Sequence, residues 1–181
     1  SLTFADRQLG RVLAKLDELK LRESTIIVLF GDHGYHLGEK GKWSKHNSLF
    51  EVAARVPLIV CLPGGVAGKS SPRTAQLLDI YPTLCDLSGI PVPSHVEGKS
   101  IKSLLLDPKS EWDRPAVTTH LFNNHGVRSE GWRYIRYANG EEELYNEAND
   151  PNEWKNLAKD PNSKEKIEEL AEILRVSKEV G

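Results

Sequence analysis

Residues 31–46, GDHGYHLGEKGKWSKH, bring an aspartate, several histidines and a cluster of lysines directly behind the apolar run Thr25–Phe30. Asp32 and His33 set a carboxylate beside an imidazole, a pair that can hold a divalent cation from one side. Calcium and magnesium prefer several oxygen ligands, so this pair needs further acidic groups from elsewhere. The competing use of the same residues is a helix cap at Asp32 and a surface histidine at His33. Lys40, Lys42 and Lys45 follow closely. Beside a cation, one lysine would neutralise charge that develops on the leaving oxygen of an anionic substrate. For Lys40 and Lys42 the expectation is a solvated loop. His33 and His36 also match half of a zinc site, a weak signal because no third or fourth ligand lies nearby in sequence.

The elements that must carry these residues can be read from periodicity. Leu9, Val12, Leu13, Leu16 and Leu19 recur at spacings of three and four, which predicts a helix from about Thr3 to Lys20 with one buried face. Thr25–Phe30 and Val56–Leu62 are apolar without alternation, as expected of strands covered on both faces, and they are expected to run parallel. Residues 79–89, DIYPTLCDLSG, read as a helix closed by Gly89. The proline-rich stretch 91–115 reads as irregular connection. Beyond it, Trp132–Tyr137 and Glu143–Tyr145 flank Asn139-Gly140, a strong hairpin signal. Ile167, Leu170, Ile173 and Leu174 predict a closing helix over 163–178.

The texture therefore divides the chain near residue 115, with an α/β half at 1–115 and a small α+β appendage at 116–181. Two strands are too few for a doubly wound sheet, so further strands are expected upstream of Ser1. At a net charge of −2 the chain has no basic field to attract nucleic acid, and no apolar run approaches the roughly 20 residues of a membrane span. Cys61 and Cys85 make no disulfide framework and are expected to be small buried hydrophobes.

The run STIIVLFGDHGYHLGEKGKWSKHNSLFEVAARVPLIVCLPG resembles the second sequence block of the type I sulfatases, within the alkaline-phosphatase-like superfamily. Its Gly-Glu-x-Gly-x-Trp-x-Lys core is most similar to the iduronate-2-sulfatase branch. The likeness continues in FADRQLGRVLAKLDEL, LLDIYPTLCDLSGI and GWRYIRY…EELYNEANDPNEWKNLA, so it spans nearly the whole chain in order. The resemblance implies the C-terminal part of a sulfatase α/β fold, followed by a small α+β subdomain with an antiparallel sheet and a closing helix. It implies that Asp32 and His33 are two calcium ligands (magnesium being the alternative ion) and that Lys45 contacts the sulfate and the leaving oxygen. Tyr35, His36 and His46 flank these positions as weaker candidates for the substrate pocket. Arg128 is a further candidate, for reading a substrate carboxylate or sulfate.

Sulfatases of this kind use a formylglycine made from Cys or Ser in a Cys/Ser-x-Pro/Ala-x-Arg motif, by nucleophilic covalent catalysis. Cys61-Leu-Pro63 begins like that motif, but Gly65 stands where arginine is required, and Cys85-Asp-Leu fails sooner. The nucleophile and the first pair of metal-binding aspartates are thus expected in an N-terminal part outside this chain, which alone should be inactive and prone to association. The implied partners are a sulfated polysaccharide or glycosaminoglycan, the N-terminal part of the same protein, and a formylglycine-generating enzyme. By analogy the compartment is periplasmic, secreted or lysosomal. Two other readings stay open: a phosphate or phosphonate ester hydrolase of the same superfamily, and a pseudo-sulfatase that binds sulfated glycans without cleaving them.

Overall fold

The predicted first helix forms as α1 (Leu2–Glu18), where leucine and charged residues alternate with a helical period. The computed structural model describes residues 2–45 and 48–179. The chain packs as two units, one of residues up to 31 with 57–69 and another of 32–56 with everything from 70 onward. The division of the chain expected near residue 115 is a different partition from this one.

The first unit holds α1 and the strands β1 (Ile27–Phe30) and β2 (Leu58–Cys61). These strands pair antiparallel, with Ile27 opposite Cys61 and Phe30 opposite Leu58, which corrects the expected parallel arrangement. A parallel return needs a crossover of a dozen or more ordered residues, usually a helix. Between β1 and β2 the only α-helix among the described residues is the single turn α2 (Glu51–Ala54). The expected burial is corrected as well. No residue of α1 is buried, and Val12, Leu19, Leu29, Phe30 and Ile59 are exposed. One helix and a two-stranded ribbon offer too little surface to enclose an apolar stripe. Cys61 is exposed and Cys85 buried, so the expectation of a core thiol holds for the second alone.

The second unit is built on a four-stranded antiparallel sheet ordered β3 (Ala116–Thr119), β4 (His125–Ser129), β5 (Trp132–Arg136) and β6 (Glu142–Asn146). The Asn139-Gly140 turn closes the β5–β6 hairpin, with Gly140 at φ 87°. The helices α3 (Ile80–Leu87) and the short α4 (Lys102–Leu106) lie between α2 and the sheet, the latter inside the stretch expected to be irregular. The closing helix α5 (Lys164–Glu179) follows.

Alternation along the strands sends side chains to both faces of the sheet. Val127, Tyr134 and Leu144 are cross-strand neighbours and pack with Leu170 and Leu174 of α5. Ile135 and Tyr145 belong to the opposite set and pack with Leu49 and Phe50. The sheet is therefore sandwiched between α5 and the segment around Leu49 and Phe50. Burying large apolar side chains on each face contributes about 1.5–3 kcal/mol per residue relative to leaving them exposed.

Candidate functional site

Residues 32–45 form a folded-back loop with a short backbone ladder. The His36 N–H donates to the Ser44 carbonyl at 3.2 Å and the Gly38 N–H to the Lys42 carbonyl at 2.9 Å. A turn at Glu39–Gly41 closes the tip, with Gly38, Lys40 and Gly41 all at positive φ. At the base, the Gly34 N–H donates to the Ala53 carbonyl at 2.8 Å. Glycine is required there, because a Cβ on residue 34 would lie 2.0 Å from the Val52 carbonyl oxygen.

Asp32 and His33 sit at the start of this loop, one residue beyond Gly31. His33 Nδ1 lies 2.7 Å from the Gly34 carbonyl oxygen and Nε2 lies 3.3 Å from Asp32 Oδ2. A carbonyl only accepts, so Nδ1 carries the proton and, in the neutral ring, Nε2 presents its lone pair. A carboxylate oxygen and an imidazole lone pair then face one another, with the Asp32 side chain 85% exposed. That donor set fits a cation approached from the open side, the backbone carbonyl fixing the ring as such partners fix ligating histidines. Among the described residues no three acidic, histidine or cysteine side chains converge on a metal-sized site, so completion of a calcium shell requires ligands from elsewhere.

Lys45 is exposed, on the returning limb immediately after Ser44. Tyr35 is half-exposed and its hydroxyl donates to the Trp43 carbonyl at 3.2 Å. His46 lies outside the described residues. His36 is corrected: it is fully buried, its Nδ1 lies 3.0 Å from the Glu39 carbonyl and its Nε2 2.6 Å from Ser48 Oγ, and its ring meets Phe50 edge to face. With both nitrogens engaged and no exposed atom, His36 holds the loop together and reads no substrate.

Arg128 is engaged within the fold as well. Its guanidinium donates to Glu51 Oε2 at 3.0 Å and to the Ser129 carbonyl, and lies 3.8 Å from Glu147. It belongs to a cluster of Glu51, Glu147, Glu153, Arg128 and Arg133, of which the last and the two glutamates at 147 and 153 are buried. Arg133 is the hub, 2% exposed, with contacts to the Leu49 carbonyl at 2.9 Å, Glu147 at 3.3 Å, Glu153 at 2.7 Å and Glu51. Three carboxyls face two guanidiniums, so one carboxyl is in surplus. Burial opposes the Glu51 charge, but Arg133 and Arg128 outweigh it and hold this carboxyl below its ordinary range. Burial, with the neighbouring Glu147, pushes Glu153 up to about 7 despite Arg133. Glu147 is raised as well, by burial first and Glu51 second. With Glu153 protonated the cluster is neutral.

Lys40 corrects the expectation of a solvated side chain. Its ammonium donates to the Glu153 carbonyl and sits 4.7 Å from the ring centre of Phe50, 5.0 Å from Tyr145 and 5.1 Å from Trp154. Lys42 stands 5.9 Å from the Phe50 ring. Sequence reasoning overlooked Glu51, Arg133, Glu147 and Glu153. The available signal was Arg133 alternating with Ile135 in an aromatic strand, which places a charge on an apolar face.

The family model described as N-sulphoglucosamine sulphohydrolase, C-terminal, matches residues 38–179. The chain is 43% identical over 173 residues to a sulfatase of Formosa agariphila, covering 96% of this chain and 34% of that protein. It is 36% identical over 118 residues to iduronate 2-sulfatase of Mus musculus, covering 51% of this chain and 21% of that protein. Among solved structures it matches BT4656 in complex with its substrate D-glucosamine-2-N,6-O-disulfate at a TM-score of 0.90 and 28% identity, over 99% of this chain and 39% of that one. It also matches the phosphonate monoester hydrolase of Agrobacterium radiobacter at 0.80 and 26%, over 94% and 38%. The fold and the loop define a chain of the alkaline-phosphatase-like class. Within that class it belongs to the sulfatase family, as its C-terminal portion. It spans about a third of the length of the relatives it matches.

Proposed function

We propose that the full-length protein is a sulfuric ester hydrolase acting on sulfated glycans, with a calcium ion held in part by Asp32 and His33. The observation that carries this reading is the Asp32–His33 pair, in which the Gly34 carbonyl fixes the ring and leaves Nε2 facing the Asp32 carboxylate. The similarity to iduronate 2-sulfatase and to a glycosaminoglycan-sugar complex supports a sulfated uronic acid or amino sugar as substrate. When bound, calcium would supply positive charge that polarises a sulfate ester and offsets charge on its oxygens. The formylglycine nucleophile lies in the N-terminal part. Within this chain, Lys45 places its ammonium where charge develops on the leaving oxygen, stabilising the transition state more than the ground state. Tyr35, tied to the Trp43 carbonyl, holds the same limb and lends a phenol to the rim of the pocket.

The test is turnover of matched aryl sulfate and aryl phosphate esters by the full-length protein, co-expressed with a formylglycine-generating enzyme, with calcium present. Sulfate hydrolysis abolished by Asp32→Ala and cut by Lys45→Ala is the expected result. Phosphate turnover with none on sulfate overturns it in favour of the second reading, a phosphate or phosphonate ester hydrolase, which the likeness to phosphonate monoester hydrolases supports.

A further inference from the structure

The loop's internal bonds fix its shape but leave its orientation to contacts outside it. Two of those contacts, one at the tip and one beyond the returning limb, meet at one residue. Glu153 is 2% exposed and adopts φ 55°, a left-handed backbone that costs a non-glycine residue strain and persists where the surroundings hold it. Its carbonyl accepts the Lys40 ammonium at the loop tip. Its Oε2 accepts the Glu51 N–H at 2.9 Å, just beyond the loop's returning limb. Arg133 Nε stands 2.7 Å from Oε1, and the same guanidinium holds the Leu49 carbonyl. Tip and foot of the loop are therefore tied to a single buried side chain and its carbonyl, 113 and 102 positions away in sequence.

We propose that Glu153 is a positioning residue that orients the loop from Gly34 to Lys45 and so sets where the Lys45 ammonium stands. The catalytic consequence rests on the sulfatase reading above; the mechanical claim does not. Lys45 acts by charge, and its effect on a leaving oxygen falls as the separation grows. A misplaced loop therefore costs most for esters whose leaving group carries the most charge in the transition state. The tie requires a neutral or charged acceptor at Oε2 and an unaltered carbonyl, both of which glutamine keeps and alanine halves. Lys40→Met cuts the tip tie and leaves the cluster of Glu51, Arg133 and Glu153 intact.

The experiment compares wild type, Glu153→Ala, Glu153→Gln and Lys40→Met in the full-length protein. Hydrogen exchange is read at the amides of His36, Gly38 and Lys42, and kcat/KM for aryl sulfates across a range of leaving-group pKa. Exchange in the loop is expected to quicken about tenfold or more in Glu153→Ala and Lys40→Met, and to stay near wild type in Glu153→Gln. The loss in kcat/KM should grow with leaving-group pKa, from roughly twofold to above tenfold, whereas a smaller folded fraction would scale all esters equally. Should Glu153→Ala fail to fold, Lys40→Met decides. Unchanged exchange in folded Lys40→Met and Glu153→Ala overturns the proposal. Quickened exchange in the two variants, with no sulfate ester turned over by wild type, leaves the positioning intact and removes the sulfatase reading. Sulfate turnover with a loss that is uniform across leaving groups overturns the link to Lys45.

Discussion

The rim and the root of the same loop use similar side chains to opposite ends. At the rim, Asp32, His33 and Lys45 are exposed, and the pair that touches gives one ring nitrogen and one carboxylate oxygen to local backbone bonds. At the root, Glu51, Arg128, Arg133, Glu147 and Glu153 pair with one another, the Lys40 ammonium is bound to the Glu153 carbonyl and packed among rings, and both His36 nitrogens are engaged within the fold. Charge that answers charge within the fold anchors, and charge left facing outward can do chemistry. The difference lies in burial and partners, neither of which residue type reveals.

The sharpest separation is expected between Asp32→Ala and Arg133→Met. Asp32→Ala should lower sulfate turnover by several orders of magnitude, as loss of a metal ligand does, while the melting temperature measured without calcium moves little. Arg133→Met should do the reverse. It strands buried carboxylates, an effect of about 3–5 kcal/mol, and denaturant unfolding should report it directly.

Next in size is a pH effect at the root. The folded-state pKa of Glu153 is raised from an ordinary 4.5 to about 7, so the folded protein holds this proton after the unfolded chain has released it. Its contribution is full below the unfolded value and is lost as pH rises between about 4.5 and 7, by at most about 3 kcal/mol. Glu153→Gln keeps the hydrogen-bonding shape and cannot ionise. Its melting temperature should gain on that of wild type between pH 5 and 8, and parallel curves would show that the surplus carboxyl is not the one described. Smaller still is Trp154→Ala, which removes one of three rings around the Lys40 ammonium. A loss of about 0.5–1 kcal/mol is expected in unfolding experiments, without change in calcium affinity.

Much of the fold follows from local pattern. The α5 stripe, the Asn139-Gly140 turn and the α3 helix appear where periodicity and turn chemistry put them. The strands β3 and β4 went unread because they are short, and Gly126 and polar residues interrupt their alternation. The antiparallel β1–β2 pair was misread because apolar continuity reports expected burial and not direction. At the proposed site, Asp32, His33 and Lys45 come from one local motif, which the sequence shows directly. The root is not legible in this way, since the Glu51–Glu153 and Lys40–Glu153 contacts join residues 102 and 113 positions apart, and only the folded sheet brings them together. For the same reason the roles of His36 and Arg128 went unread, since their partners Ser48 and Glu51 lie 12 and 77 positions away.

Calcium titration of the full-length protein, wild type beside Asp32→Ala and Lys40→Met, tests the separation of rim from root most directly. Calorimetry should show calcium affinity reduced more than about 100-fold by Asp32→Ala, and within a few-fold of wild type in Lys40→Met, because only the first removes a ligand. Equal calcium affinity in wild type and Asp32→Ala would contradict the account, since the exposed pair at the rim would then hold no metal.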